Sequence, residues 1–198
     1  MKLPWVKTQP QPNTTYISLG NNCTPASELR VLGLRTTAMP FDWVRSTPDI
    51  ISACIRADFA GYHTDLRLDT VSERVVDGLG IEFTHDYPNL ETYNNVPVIE
   101  GWEVYIPLIN EKYHRRIARF IGLMCSYNIP IVILCNMSFE GIEKVRDAIR
   151  ERYNRTRRLV FVSLNSEGFS SNHNTLWCSS SEILPQRLQF AAHLAATC

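Results

Sequence analysis

The stretch PIVILCNMSFEGIEKVRDAIRERYNRTRRLVFV, residues 130–162, decides the fold. Pro130-Ile131-Val132-Ile133-Leu134 is a continuous apolar run of the length of a buried strand. Ile142, Val145 and Ile149 then recur at helical spacing on a charged segment, where Glu140 and Lys144 make a favourable i,i+4 pair. Leu159-Val160-Phe161-Val162 reads as a second buried strand. Two strands without polar alternation, joined by an amphipathic helix, form a βαβ unit and pair in parallel.

The flanking sequence extends this pattern. Tyr113, Ile117, Phe120, Ile121 and Met124 repeat with helical period ahead of the first strand. Thr15-Tyr16-Ile17-Ser18-Leu19 is β-prone and is broken by Gly20-Asn21-Asn22. Thr24-Pro25 then suits a helix start, the hydroxyl as cap and the proline in the first turn. Leu29 and Leu32 give that helix an apolar face and Gly33 closes it. Ser46-Thr47-Pro48 opens another helix that runs toward Phe59. Residues 61–110 hold short β-prone pieces, Ile81 to Thr84 and Trp102 to Ile106, among Pro, Gly and Asn. Beyond Ser163 a Ser/Asn-rich loop is expected to Ser181, followed by a short terminal helix. The expectation is an N-terminal arm over 1–14, with three prolines, then a single three-layer α/β domain over 15–198 with a mainly parallel sheet.

Composition narrows the function classes. Of the 198 residues 44% are apolar, and 20 basic side chains meet 20 acidic ones. A nucleic-acid partner calls for a basic surplus, which this chain lacks. The longest apolar run is far shorter than the roughly 20 residues that span a bilayer, so no membrane partner is expected. The start of the chain carries no apolar signal segment, and a cytoplasmic location is expected. Six cysteines are scattered without paired spacing, as thiols in a reducing compartment would be. Neither C-x-x-C nor H-E-x-x-H occurs, so no metal and no other cofactor is expected. The oligomeric state is not encoded in any visible pattern.

Chemistry points to Cys23, at a strand-to-helix turn. The amides and dipole of a helix N-terminus favour a thiolate, and nearby amides can face a developing oxyanion. The competing reading makes Cys23 a small buried residue. A base would come from His85, where Phe83-Thr84-His85-Asp86 follows a β-prone segment. Asp86 could orient the ring only if the chain turns there, because neighbours on a strand point to opposite faces. His63 and His173 are lesser alternatives. Pro40-Phe41-Asp42-Trp43 is an aromatic cluster around one acid, a core plug first and a carboxylate near the turn second.

The ordered set Ile17-Ser18-Leu19-Gly20-Asn21-Asn22-Cys23, Leu32-Gly33-Leu34-Arg35, Pro40-Phe41-Asp42-Trp43, Phe83-Thr84-His85-Asp86 and Lys112-Tyr113-His114-Arg115-Arg116-Ile117-Ala118-Arg119-Phe120 resembles a family described as putative papain-like cysteine peptidases. With the strand after Pro130 it spans most of residues 15–165. The resemblance implies Cys23 as nucleophile and His85 as general base, with Asp86 or Asp42 as orienting acid and a peptide or small acyl or amide compound as substrate. It also implies a papain-like α+β fold as the alternative to the parallel α/β reading. A different function, a non-catalytic domain, would bind a small anionic ligand at the Gly20-Asn21-Asn22-Thr24 turn. A third, an interaction protein contacting partners through Trp43 and Trp102, is selected by no feature of the sequence.

Overall fold

The computed structural model describes residues 13–91, 96–165, 175–178 and 183–197. Most of the expected N-terminal arm, and His173, therefore lie outside the described residues. The elements in chain order are β1 (Thr15–Ser18), α1 (Thr24–Val31), α2 (Pro48–Arg56), β2 (Arg67–Asp69), β3 (Arg74–Val76), β4 (Asn89–Glu91), β5 (Val96–Val98), α3 (Ile106–Cys125), β6 (Ile131–Cys135), α4 (Phe139–Tyr153), β7 (Leu159–Ser163), β8 (Thr175–Trp177) and α5 (Leu184–Thr197).

Four strands form a parallel sheet in the order β1-β6-β7-β8. Every residue of β6 and β7 is buried, which is why both runs lack polar alternation. Their side chains divide by parity. Ile131, Ile133, Cys135, Leu159 and Phe161 enter a core built with residues of α2, α3 and α4. Val132, Leu134, Val160 and Val162 enter a second core with Leu29 of α1 and Leu188, Ala191 and Ala195 of α5. Helices thus cover both faces, and the fold is a three-layer α/β arrangement. Two antiparallel hairpins, β2–β3 and β4–β5, are inserted between α2 and α3.

The caps explain the helix starts. Thr47 accepts from the Ile50 amide ahead of Pro48 in α2, and Ser138 accepts from the Gly141 amide in α4. A Cβ at Gly141 would lie 2.8 Å from Pro48 Cγ, so only glycine lets these two helix starts approach so closely.

Three local expectations are corrected. In α1 the cap residue is Cys23 rather than Thr24, and no side chain of the cap residue bonds the helix. Trp102–Tyr105 is a 3-10 turn instead of a strand, leading directly into α3. Pro107 suits a first helical turn, where its missing N–H leaves nothing unpaired. The expected loop after Ser163 contains β8, whose Phe161–Thr175 to Ser163–Trp177 pairing is non-local and leaves no periodic signature in three residues.

Candidate functional site

Cys23 lies at the carboxyl end of the parallel sheet, where open α/β folds place their ligand crevices. After β1 the chain leaves the sheet at Gly20 and turns into α1. A Cβ on Gly20 would meet Asn136 Oδ1 at 2.6 Å and Pro25 Cγ at 2.8 Å. The close approach lets Asn136, one residue past β6, brace the turn. Its Oδ1 accepts from the Asn21 amide at 2.8 Å, and its Nδ2 donates to Asn22 Oδ1 at 2.9 Å. Asn22 Oδ1 also accepts from the Thr24 amide at 3.0 Å. The amides of Asn22 and Cys23 carry no hydrogen bond among the described residues, and Thr24 is exposed.

Cys23 is half-buried. Cys54 and Cys135 are buried, and desolvation pushes both thiols up to about 12, which keeps them protonated and inert. Cys178 is also buried, and Cys125 is exposed at the last residue of α3. Among the described cysteines only Cys23 joins solvent access to a helix N-terminus.

The segment Trp43–Ser46 forms the next wall. On one side the Ser46 amide donates to the Asn21 carbonyl at 3.2 Å. On the other, Arg45 and Glu82 exchange backbone hydrogen bonds of 2.9 and 3.0 Å, and Thr84 Oγ1 donates to the Trp43 carbonyl at 2.8 Å. His85 is exposed, with its ring edge-on to Trp43 at 5.7 Å between centroids. The turn at Cys23 and the ring of His85 are therefore both tied to this one segment, and no hydrogen bond joins Cys23 and His85 among the described residues.

The two candidate acids sit elsewhere. Asp86 is engaged with α3: it is ion-paired with Lys112 and accepts from the Tyr113 hydroxyl. Asp42 is 1% exposed and has all its work in the loop below Trp43. It accepts from Ser18 Oγ, from Arg35 at 2.9 and 2.6 Å, and from the Met39 amide at 2.9 Å. His63 is buried, its Nδ1–H donating to Asn110 Oδ1 and its Nε2 accepting from the Tyr87 hydroxyl at 2.9 Å. That ring belongs to the core beneath the hairpins.

Sequence reasoning missed Asn136 and Arg30. The signal for Asn136 was present: a polar residue follows five buried apolar ones at the carboxyl end of the strand beside β1. Arg30 and Arg35 both stack on Trp43, each guanidinium carbon 5.4 Å from the ring centre, a convergence from separate segments that no spacing announces.

Fold and turn together define an α/β protein with a partly exposed cysteine at the first strand-to-helix junction. A family model described as "Putative papain-like cysteine peptidase" matches residues 14–161, and the chain belongs to that family. An uncharacterised protein of Acanthamoeba polyphaga mimivirus is 34% identical over 178 residues, covering 76% of each chain. No solved structure matches. The matched residues include Cys23, Asp42, His85, Asp86 and Asn136. Among the described residues no helix is long and apolar enough to cross a membrane, and no cluster of His, Cys, Asp and Glu could hold a metal ion.

Proposed function

We propose that this protein is a thiol-dependent hydrolase or acyl transferase in which Cys23 is the nucleophile and His85 the general base. The observation that carries the reading is the position of Cys23: half-buried, at a helix N-terminus, beside two backbone amides with no acceptor among the described residues. Cys23 Sγ attacks a carbonyl carbon while the imidazole takes the thiol proton. The carbonyl oxygen becomes an oxyanion held by the Asn22 and Cys23 amides. As the C–N or C–O bond breaks, the leaving group takes the proton from His85, and a thioester remains. Water or an acceptor nucleophile then attacks that thioester, His85 again carrying the proton, and the thiol is restored.

His85 must turn from the edge of Trp43 toward the sulfur for this sequence. The His85 residue is exposed, and catalytic hydrogen bonds commonly tighten only once substrate is bound. Neither Asp42 nor Asp86 is needed as a third member, since each carboxylate is consumed by other partners.

The test is acyl transfer to the protein. After brief exposure to p-nitrophenyl acetate, peptide mass spectrometry should find acetyl on Cys23, removable by hydroxylamine, and Cys23→Ser should accumulate none. Acetylation of Cys125 in preference to Cys23 would overturn the reading. A second reading draws on the same two open amides: a turn that binds a small anion without covalent chemistry. It predicts anion binding that survives Cys23→Ser and no thioester in the wild type.

A further inference from the structure

Cys23, Ser27 and Arg30 follow one another at i, i+4 and i+7, so they form a row on one face of α1. Seven residues of helix rise about 10 Å, which sets Arg30 that far from the thiol along the axis. The row gains exposure along its length, from half-buried Cys23 and Ser27 to exposed Arg30. Segment Trp43–Ser46 runs beside it in the opposite sense. Ser46 bonds the turn before Cys23, while Trp43 lies under Arg30.

Charge at the far end of this row is unbalanced. Arg35 reaches the same indole, yet its guanidinium is neutralised by two hydrogen bonds to Asp42. Arg30 has no carboxylate partner among the described residues, and its guanidinium lies over the ring of half-buried Trp43. Among the described residues, Arg30 thus presents a guanidinium without a carboxylate over an aromatic platform that also packs near-perpendicular against the ring of exposed His85. A guanidinium presents parallel donors to a planar or tetrahedral oxyanion, and an indole beneath it orients that fork.

We propose that Arg30, with Trp43 as its platform and His85 as its far wall, is a subsite for an anionic group, a carboxylate or a phosphate, carried about 10 Å from the atom that meets Cys23. This rests on the reading of Cys23 as the reactive centre and gives that centre a substrate class: acyl compounds with an anionic arm.

Two aromatic disulfide reagents, one anionic and one neutral, separate the terms in a background carrying Cys125→Ser and Cys198→Ser. One, 5,5′-dithiobis(2-nitrobenzoate), brings an aryl carboxylate to Cys23; the other, 4,4′-dithiodipyridine, is neutral. The expected result is that Arg30→Gln lowers the rate with the anionic reagent about fivefold, the size of one partly exposed ion pair, and leaves the neutral reagent unchanged. Arg30→Lys should keep most of the anionic preference. Succinate or inorganic phosphate, added to the wild type, should slow only the anionic reagent, and whichever is stronger names the natural group. Equal changes with both reagents, or none with either, would overturn the subsite. A thiol that reacts slowly with the neutral reagent but keeps the Arg30-dependent preference would sink the catalytic reading and leave the subsite standing.

Discussion

Asp42→Asn separates structure from catalysis at the one acid nearest the turn. The carboxylate accepts from Ser18, from two nitrogens of Arg35 and from the Met39 amide. An amide in its place keeps one acceptor oxygen and turns the other corner into a donor facing Arg35 and Met39. Breaking a fully buried ion pair costs about 3–5 kcal/mol. The Asp42 side chain is 1% exposed but that of Arg35 is 17% exposed, so water recovers part of the guanidinium and the expected loss is about 2–4 kcal/mol. For a chain of this length each kcal/mol shifts Tm by roughly 2–4 °C, so circular dichroism melts should show a fall of about 4–16 °C. The folded fraction at 20 °C should still react at Cys23 at the wild-type rate, since Asp42 touches neither the thiol nor the imidazole. A Tm within about 2 °C of wild type, or a rate at Cys23 reduced tenfold in fully folded protein, would refute the assignment of Asp42 to the loop.

Other variants probe the scaffold. Gly20→Ala drives a methyl into Asn136 Oδ1 and the Pro25 ring, and overpacking plus the lost Asn21 brace should cost about 2–4 kcal/mol, read as a lower urea midpoint. Arg155 is 1% exposed and donates to the carbonyls of Leu123, Ser126 and Ile129 at the end of α3. Arg155→Met orphans those acceptors, and a loss of about 3 kcal/mol or more is expected in the same assay. Burial holds His63 below its ordinary range, so the folded state favours the neutral ring. Its contribution is complete above the unfolded value near 6.5 and is lost progressively as pH falls from there through the lower folded value. Tm measured between pH 7.5 and 5 should therefore drop on the acid side, with a shallower slope in His63→Gln.

The fold was legible where burial is complete. β6, β7 and α4 each carry one unmixed signal, a continuous apolar run or a helical stripe, because each is covered on the faces that the pattern records. The stretch between α2 and α3 was opaque for the opposite reason. Its strands have three residues each, too few for alternation to show, and they are held by pairing with one another. Trp102–Tyr105 reads as a strand by residue preference and becomes a helical turn because it feeds α3. At the candidate site, the place of Cys23 at the strand-to-helix turn was legible from the sequence. The acids could not be sorted in the same way: Asp42 and Asp86 are spoken for by Arg35 and Lys112, residues 7 and 26 positions away, and sequence proximity to His85 said nothing of where Asp86 points.

The rate of Cys23 with iodoacetamide at pH 7, in wild type and in His85→Ala, weighs the partnership of sulfur and ring itself. The expected wild-type rate is at least about tenfold above glutathione, the headroom left by a free thiol that is only a few per cent ionised, with a return toward glutathione when the imidazole is removed. A wild-type thiol no faster than glutathione, or one indifferent to the loss of His85, would contradict it.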